Sequence, residues 1–200
     1  KNPKICYIGT ATGDDRHYTT AFYASFASLN CRPSHLNLFQ LNQENWKEHI
    51  LSQDIIYVGG GNTFSMLAVW KDWGVDKILK KAYQDGIIMT GSSAGSICWF
   101  KNGNSDSFSL TQLKAVQGLG FLNYSHSPHY DAEENRRPNY HQLIQTEELD
   151  AGFGIDNYAG VHFINQKLYT AFTAKSDAGV YFVEKINNKI VEKVLETKKI

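Results

Sequence analysis

The chain has 200 residues, the length of one ordinary domain, and with 42% hydrophobic and 20% charged residues it can build a core, which argues against disorder. Twenty basic residues offset twenty acidic ones, so the total charge gives no reason to expect a nucleic-acid or membrane-surface partner. Cys6, Cys31 and Cys98 are widely spaced and form no CxxC pair, which speaks against a disulfide framework or a zinc site. Free thiols, no signal-peptide pattern and no bilayer-length apolar run give the expectation of a cytoplasmic protein.

Residues 5–11 read as a buried strand that ends in small residues. Residues 18–29 carry apolar groups at helical spacing, residues 35–39 alternate as a second strand, and residues 44–51 suit a short helix. A third strand over 54–58 is broken by Gly59-Gly60-Gly61-Asn62-Thr63, and helices are expected over 63–69 and 75–84. Residues 87–90 make a fourth buried strand, followed at once by Gly91-Ser92-Ser93-Ala94-Gly95. Strands alternating with helices predict a mostly parallel sheet flanked by helices. In such a sheet both glycine-rich breaks fall at carboxyl ends of strands, where ligands bind.

After Trp99 the pattern changes. Residues 101–138 are rich in Asn, Ser, His and Tyr and read as mostly loop. Residues 137–148 suit a helix with Pro138 in its first turn. Residues 161–165, 167–173 and 179–183 read as short antiparallel strands, and the Lys-rich stretch 185–200 as an edge strand. No repeat or linker divides the sequence, which is taken as one domain over 1–200.

Gly91-Ser92-Ser93-Ala94-Gly95 matches G-x-S-x-G, the nucleophile elbow. A serine on a sharp strand-to-helix turn projects its hydroxyl outward, and the next N–H, from Ala94, points where an oxyanion forms, with the positive end of the following helix aimed the same way. The ordinary alternative is a small-residue turn. Gly59–Gly61 let backbone N–H groups approach a ligand and suit a second oxyanion donor. No G-K-[ST] follows them and G-x-G-x-x-G is not met, so nucleotide binding ranks lower than a tight turn.

A serine nucleophile needs a base. His17, His35 and His49 suit packing or surface positions, while His126, His129 and His141 fall in the polar stretch after the elbow. Spacing alone leaves His129, in Ser127-Pro128-His129-Tyr130-Asp131, and His162, in a strand pattern, as alternatives. Asp106, Asp131 and Asp156 are candidate orienting acids, and each equally suits a turn or a cap. Arg136-Arg137 is a paired cation suited to a substrate carboxylate, or to a solvated helix start.

Tyr57-Val58-Gly59-Gly60-Gly61-Asn62-Thr63-Phe64, Gly91-Ser92-Ser93-Ala94-Gly95 and Ser127-Pro128-His129-Tyr130 together resemble the aspartyl dipeptidase (peptidase E) and cyanophycinase family. The string 93–100 is similar to its bacterial peptidase E-like branch, and the resemblance runs in order over about residues 5–183. It implies a class I glutamine amidotransferase-like (flavodoxin-like) three-layer α/β sandwich with serine at the elbow in place of cysteine. It implies a serine-type dipeptidase-like hydrolase of small peptides, including Asp-X dipeptides, with Ser93 as nucleophile and His129 as base.

The resemblance also implies Gly60 or Gly61 with Ala94 as oxyanion donors, and Asn62, Thr63, Tyr130, Arg136 and Arg137 around the substrate. Asp106 resembles an acid sometimes placed in the charge relay. The other family acid falls in register on Asn157, which carries no charge, with Asp156 adjacent to it. Relatives start with one more strand and a glycine-rich loop, so the chain is either a fragment or of a shorter branch. No metal or cofactor is implied. The expected partner is a small peptide, with no nucleic acid or membrane, and a second copy of the chain is the one protein partner admitted. The rival readings are a catalytically silent binding module, which Asn157 favours, and an α/β-hydrolase esterase using His162.

Overall fold

A computed structural model of the chain describes residues 2–109 and 111–200. It divides into two compact units, one ending at Ser96 and one running from Ile97 to Ile200.

The first unit holds four strands, β1 (Lys4–Ile8), β2 (Arg32–Leu36), β3 (Ile55–Val58) and β4 (Ile88–Gly91), in the order β2-β1-β3-β4. Every pairing is parallel. Parallel neighbours need crossovers, and these carry α1 (Arg16–Phe26), α2 (Trp46–Leu51), α3 (Thr63–Trp73) and α4 (Val75–Gln84). Ile5 and Tyr7 of β1 pack with Phe22 of α1. By strand alternation Cys6 and Ile8 face the other way, and they are fully buried together with Ile56 and Val58. This two-sided burial explains the near-continuous apolar runs of β1 and β3; β4, expected as buried, is an edge strand with Ile88 exposed.

Several boundaries differ from expectation, the first helix, for instance, spanning Arg16–Phe26, and two differences have a plain physical reason. The second strand spans 32–36, not 35–39. It is an edge strand, which tolerates Pro33, and the N–H groups of Leu38 and Phe39 leave the ladder to bond Asp14 Oδ2 at 2.5 and 2.8 Å. The helix after the glycine loop continues to Trp73, where Gly74 closes it in the left-handed conformation.

In the second unit, β5 (Phe100–Ser105), β6 (Lys114–Gln117), β7 (Leu122–Ser127), β8 (Gly152–Ile155), β9 (Ala159–Ile164), β10 (Lys167–Thr173), β11 (Val180–Ile186), β12 (Lys189–Val194) and β13 (Thr197–Lys199) form two sheets. The larger has the order β12-β11-β8-β7-β5-β6 and the smaller β13-β10-β9. Helix α6 (Arg136–Gln145) packs Tyr140, Leu143 and Ile144 against Val183 and Tyr130. A separate cluster joins Phe100, Phe153 and Val180 of the larger sheet to Ala171, Val161 and Phe163 of the smaller one. The hairpins β9–β10 and β11–β12 turn on Asn165-Gln166 and Asn187-Asn188, all with positive φ, as tight two-residue turns require.

The stretch 101–138, expected as mostly loop, carries β5, β6 and β7, and this corrects the sequence reading. Besides Val116, Phe121 and Tyr130, it buries many polar side chains: Asn102, Asn104, Ser105, Ser125, His126 and Ser127. Internal bonds offset their burial, among them Asn104 Nδ2 to Ser127 Oγ at 3.3 Å and the Ser125 and Tyr140 hydroxyls 2.6 Å apart. Apolar periodicity cannot register strands of this kind. The expected edge strand near the C-terminus is present as β12.

Candidate active site

Parallel pairing brings the carboxyl ends of β3 and β4 together, with Val58 opposite Gly91. The chain turns at once into Ser93 and the four-residue helix α5 (Ala94–Ile97). Ser93 is partly exposed and has φ 53°, a left-handed conformation that is costly for any residue with a Cβ. Its neighbours explain why the strain persists. A Cβ on Gly95 would collide with the Val58 carbonyl, and one on Gly91 with the Gly95 carbonyl. Glycine at both places lets the bend fold back onto β3. Bonds from Gly95 N–H to the Ser92 carbonyl (2.9 Å) and from Ser96 Oγ to the Ser93 carbonyl (2.7 Å) then hold it.

The Gly59–Gly61 loop lies beside this bend. A Cβ on Gly60 would stand 3.2 Å from Ser93 Cβ and 3.8 Å from Ser93 Oγ, so the Gly60 backbone lines the serine directly. Gly61, with φ 132°, instead packs on the Ala11 carbonyl. Asn62 and Thr63 start α3: Asn62 Oδ1 caps it by accepting the Ser65 N–H at 2.8 Å, and Thr63 is buried. Ala94 is buried as the first residue of α5. At four residues, that helix offers little macrodipole, and the local N–H groups carry what electrostatics the bend supplies. Burial pushes the Cys98 thiol well above its ordinary value, which makes it a poor competitor as nucleophile.

In the second unit His129 follows β7 and is also left-handed, with φ 54°. Its Nδ1 lies 2.7 Å from Asn157 Oδ1, and the Asn157 N–H donates to Asp131 Oδ1 at 2.8 Å. An amide oxygen accepts only, so this bond puts the proton on Nδ1 and leaves Nε2 with its lone pair, the tautomer a general base needs.

The other expected residues take different places. Asp156 Oδ2 accepts the Gly179 N–H at 2.8 Å and the Tyr181 hydroxyl at 3.4 Å. Burial, and secondarily Asp131, raise its carboxyl, while the Gly179 bond opposes them. Asp106 is exposed in a turn whose carbonyl accepts the Ser109 N–H. Arg136 is buried, with Nε and Nη2 on Glu133 and Nη1 on the Asn104 carbonyl. Arg137 pairs with Glu192 and stacks over Tyr130 and Tyr181. Tyr130 is buried, and its hydroxyl donates to Glu192 at 2.7 Å. Both guanidinium groups thus already hold protein carboxylates. His162 is exposed on β9 against Tyr169. Asp131, one of the three candidate orienting acids, lies two residues after His129 in the same loop and accepts the Asn157 N–H.

In the first unit, a strained serine bend between glycines with a glycine loop against it is the arrangement of a serine-type peptidase on an α/β fold. The model of Peptidase family S51 matches residues 1–171, and the chain belongs to that family. It is 44% identical over 199 residues to "Uncharacterized peptidase YgaJ" of Bacillus subtilis (strain 168), covering 99% of this chain and 85% of that protein. It is 28% identical over 128 residues to "Peptidase E" of Shewanella denitrificans, covering 63% of this chain and 52% of that one. The crystal structure of a peptidase from an acI-B1 Actinobacterium matches with TM-score 0.69 at 17% identity, over 98% of this chain and 82% of that chain, and shows the same fold. The resemblance read from the three motifs is borne out. Among the described residues, no helix is long and apolar enough to cross a membrane.

Proposed function

We propose that the chain hydrolyses small peptides, Asp-X dipeptides among them, through an acyl-enzyme on Ser93. His129 Nε2 takes the hydroxyl proton as Ser93 Oγ attacks the scissile carbonyl. The Ala94 N–H and the N–H of Gly60 or Gly61 receive the oxyanion. The imidazolium then protonates the leaving amine, and water, deprotonated by the same imidazole, releases the acid product. Asn157 holds the imidazole and contributes no charge. The observation that carries the reading is the left-handed Ser93 with Gly60 packed directly against it.

Recognition of a substrate carboxylate by Arg136 or Arg137 requires exchange of a bond to Glu133 or Glu192. Three free cysteines fit a reducing compartment, and a cytoplasmic setting belongs to this proposal. Turnover of a panel of Asp-X dipeptides by the wild type and by Ser93→Ala tests it. The variant should fold and be inactive; wild-type turnover by the variant would overturn the assignment. The neutral Asn157 favours one second reading, a silent binding module. It predicts dipeptide binding with no turnover in either protein.

A further inference from the structure

We infer that Asp131 is a positioning residue, which fixes Asn157 so that its amide oxygen meets His129 Nδ1. The inference rests on the proposed role of His129. The two bonds His129 Nδ1–Asn157 Oδ1 (2.7 Å) and Asn157 N–H to Asp131 Oδ1 (2.8 Å) close a ring through the backbone of residues 129–131. One loop therefore carries the base and also the group that sets the base's partner. A shift of the loop takes both along, and the imidazole keeps its orientation.

The rest of the Asn157 turn is anchored separately. The Tyr130 N–H donates to the Ile155 carbonyl at 3.1 Å, and the Asp156 N–H to the Gly179 carbonyl at 3.1 Å. The Asp156 side chain accepts from Gly179 and Tyr181. These bonds fix residues 155 and 156. At residue 157 the N–H is held by Asp131, and the next residue, Tyr158, already sits at φ 66°. Removing the Asp131 acceptor frees rotation at the residue whose side chain orients the base. A neutral third member makes this geometry matter more, because an amide holds the imidazole by one directional bond without the long-range pull of a charge.

The test uses the full chain with a p-nitrophenyl ester and an Asp-X dipeptide as probes, and six variants, Asn157→Ala and Ser93→Ala among them. Asp131→Ala should lower kcat about tenfold or more with KM changed far less, the signature of misplacement at the reacting group. Asp131→Asn keeps an acceptor oxygen and loses the charge, so it should return kcat to within about threefold of the wild type. Asp131→Glu keeps the charge and displaces the oxygen, so it should behave as Asp131→Ala does, and it stands in if the alanine variant does not fold. Combining Asp131→Ala with Asn157→Ala should cost little more than either alone. The Nδ1 proton resonance of His129 should be lost in Asp131→Ala and kept in Asp131→Asn. Wild-type kcat in both Asp131→Ala and Asp131→Glu, or additive losses in the double variant, would overturn the inference. Wild-type turnover by Ser93→Ala would instead overturn the catalytic reading beneath it, so the two failures are told apart.

Discussion

The amide oxygen of Asn157 sits 2.7 Å from Nδ1 of His129, the place where a serine peptidase of this chemistry more often holds a carboxylate. The amide fixes the tautomer and the ring. It would not neutralise the imidazolium that the proposed mechanism forms. The charge is thus the missing part, and Asn157→Asp should raise kcat/KM by at least about tenfold, a small share of what a carboxylate contributes in a charged triad. Asn157→Ala, which loses orientation too, should fall below the wild type. Steady-state kinetics on one peptide substrate checks both. A slower Asn157→Asp enzyme would mean that the third position is not limited by charge.

The elbow makes a prediction about stability. At Gly95 a methyl group would meet the Val58 carbonyl, which is backbone and cannot turn away. Gly95→Ala should therefore cost about 3 kcal/mol or more, by overpacking together with displacement of β3. Gly13 and Gly86, where no atom lies within 4 Å, provide the control. Both have positive φ, so alanine there should cost only about 1 kcal/mol. Urea melts of the three variants separate steric collision from the general cost of a lost glycine.

His126 is buried between the Phe100 ring, 4.8 Å between centroids, and the Phe153 carbonyl, which accepts from Nδ1 at 3.0 Å. Burial pushes its pKa down to about 4. The unfolded chain binds a proton near pH 6.5, and the folded chain does not until about pH 4. Stability from this group is therefore complete above the unfolded value and is lost as pH falls through that window, by on the order of 3 kcal/mol. His126→Gln should remove that dependence. Between pH 4.5 and 6 the unfolding free energy of the variant should vary less steeply than that of the wild type, by about one proton, or ~1.4 kcal/mol per pH unit. Parallel curves would mean that His126 titrates alike in both states.

Glu192 ties α6 to β12. Partial burial raises its carboxyl, and bonds from Tyr130, Arg137 and His141 more than offset this and hold it below the usual range. It also accepts from His141 Nε2 at 2.9 Å. Glu192→Ala leaves the buried Tyr130 hydroxyl and the half-exposed Arg137 without that acceptor. A loss of about 2 kcal/mol is expected by denaturant titration, between the values for exposed and buried pairs. Arg137→Ala should lose less, since the Tyr130–Glu192 bond survives.

Much of the first unit was legible in the sequence because the central strands β1 and β3, with residues buried on both faces, write apolar runs, and glycines follow β1 and β3 and end β4. The elbow was legible for a steric reason, since only glycine fits at positions 91 and 95. The strands after Trp99 were not, because Asn104, Ser125 and His126 face inward and bond Ser127, Tyr140 and backbone carbonyls, which looks like loop chemistry in one dimension. The bond from His129 to Asn157 spans twenty-eight residues and was foreshadowed only by the family resemblance, which put the third position in register on Asn157. Residue type alone pointed to the neighbouring Asp156, whose side chain turns to Gly179 instead.

Activation of Ser93 as a nucleophile by His129, as proposed, is read out by incubation with a fluorophosphonate followed by peptide mass mapping. One adduct should form, on Ser93, and His129→Ala should slow its formation by about a hundredfold or more, the scale of general-base assistance. An adduct on another residue, or labelling of Ser93 at an unchanged rate in His129→Ala, would contradict the account.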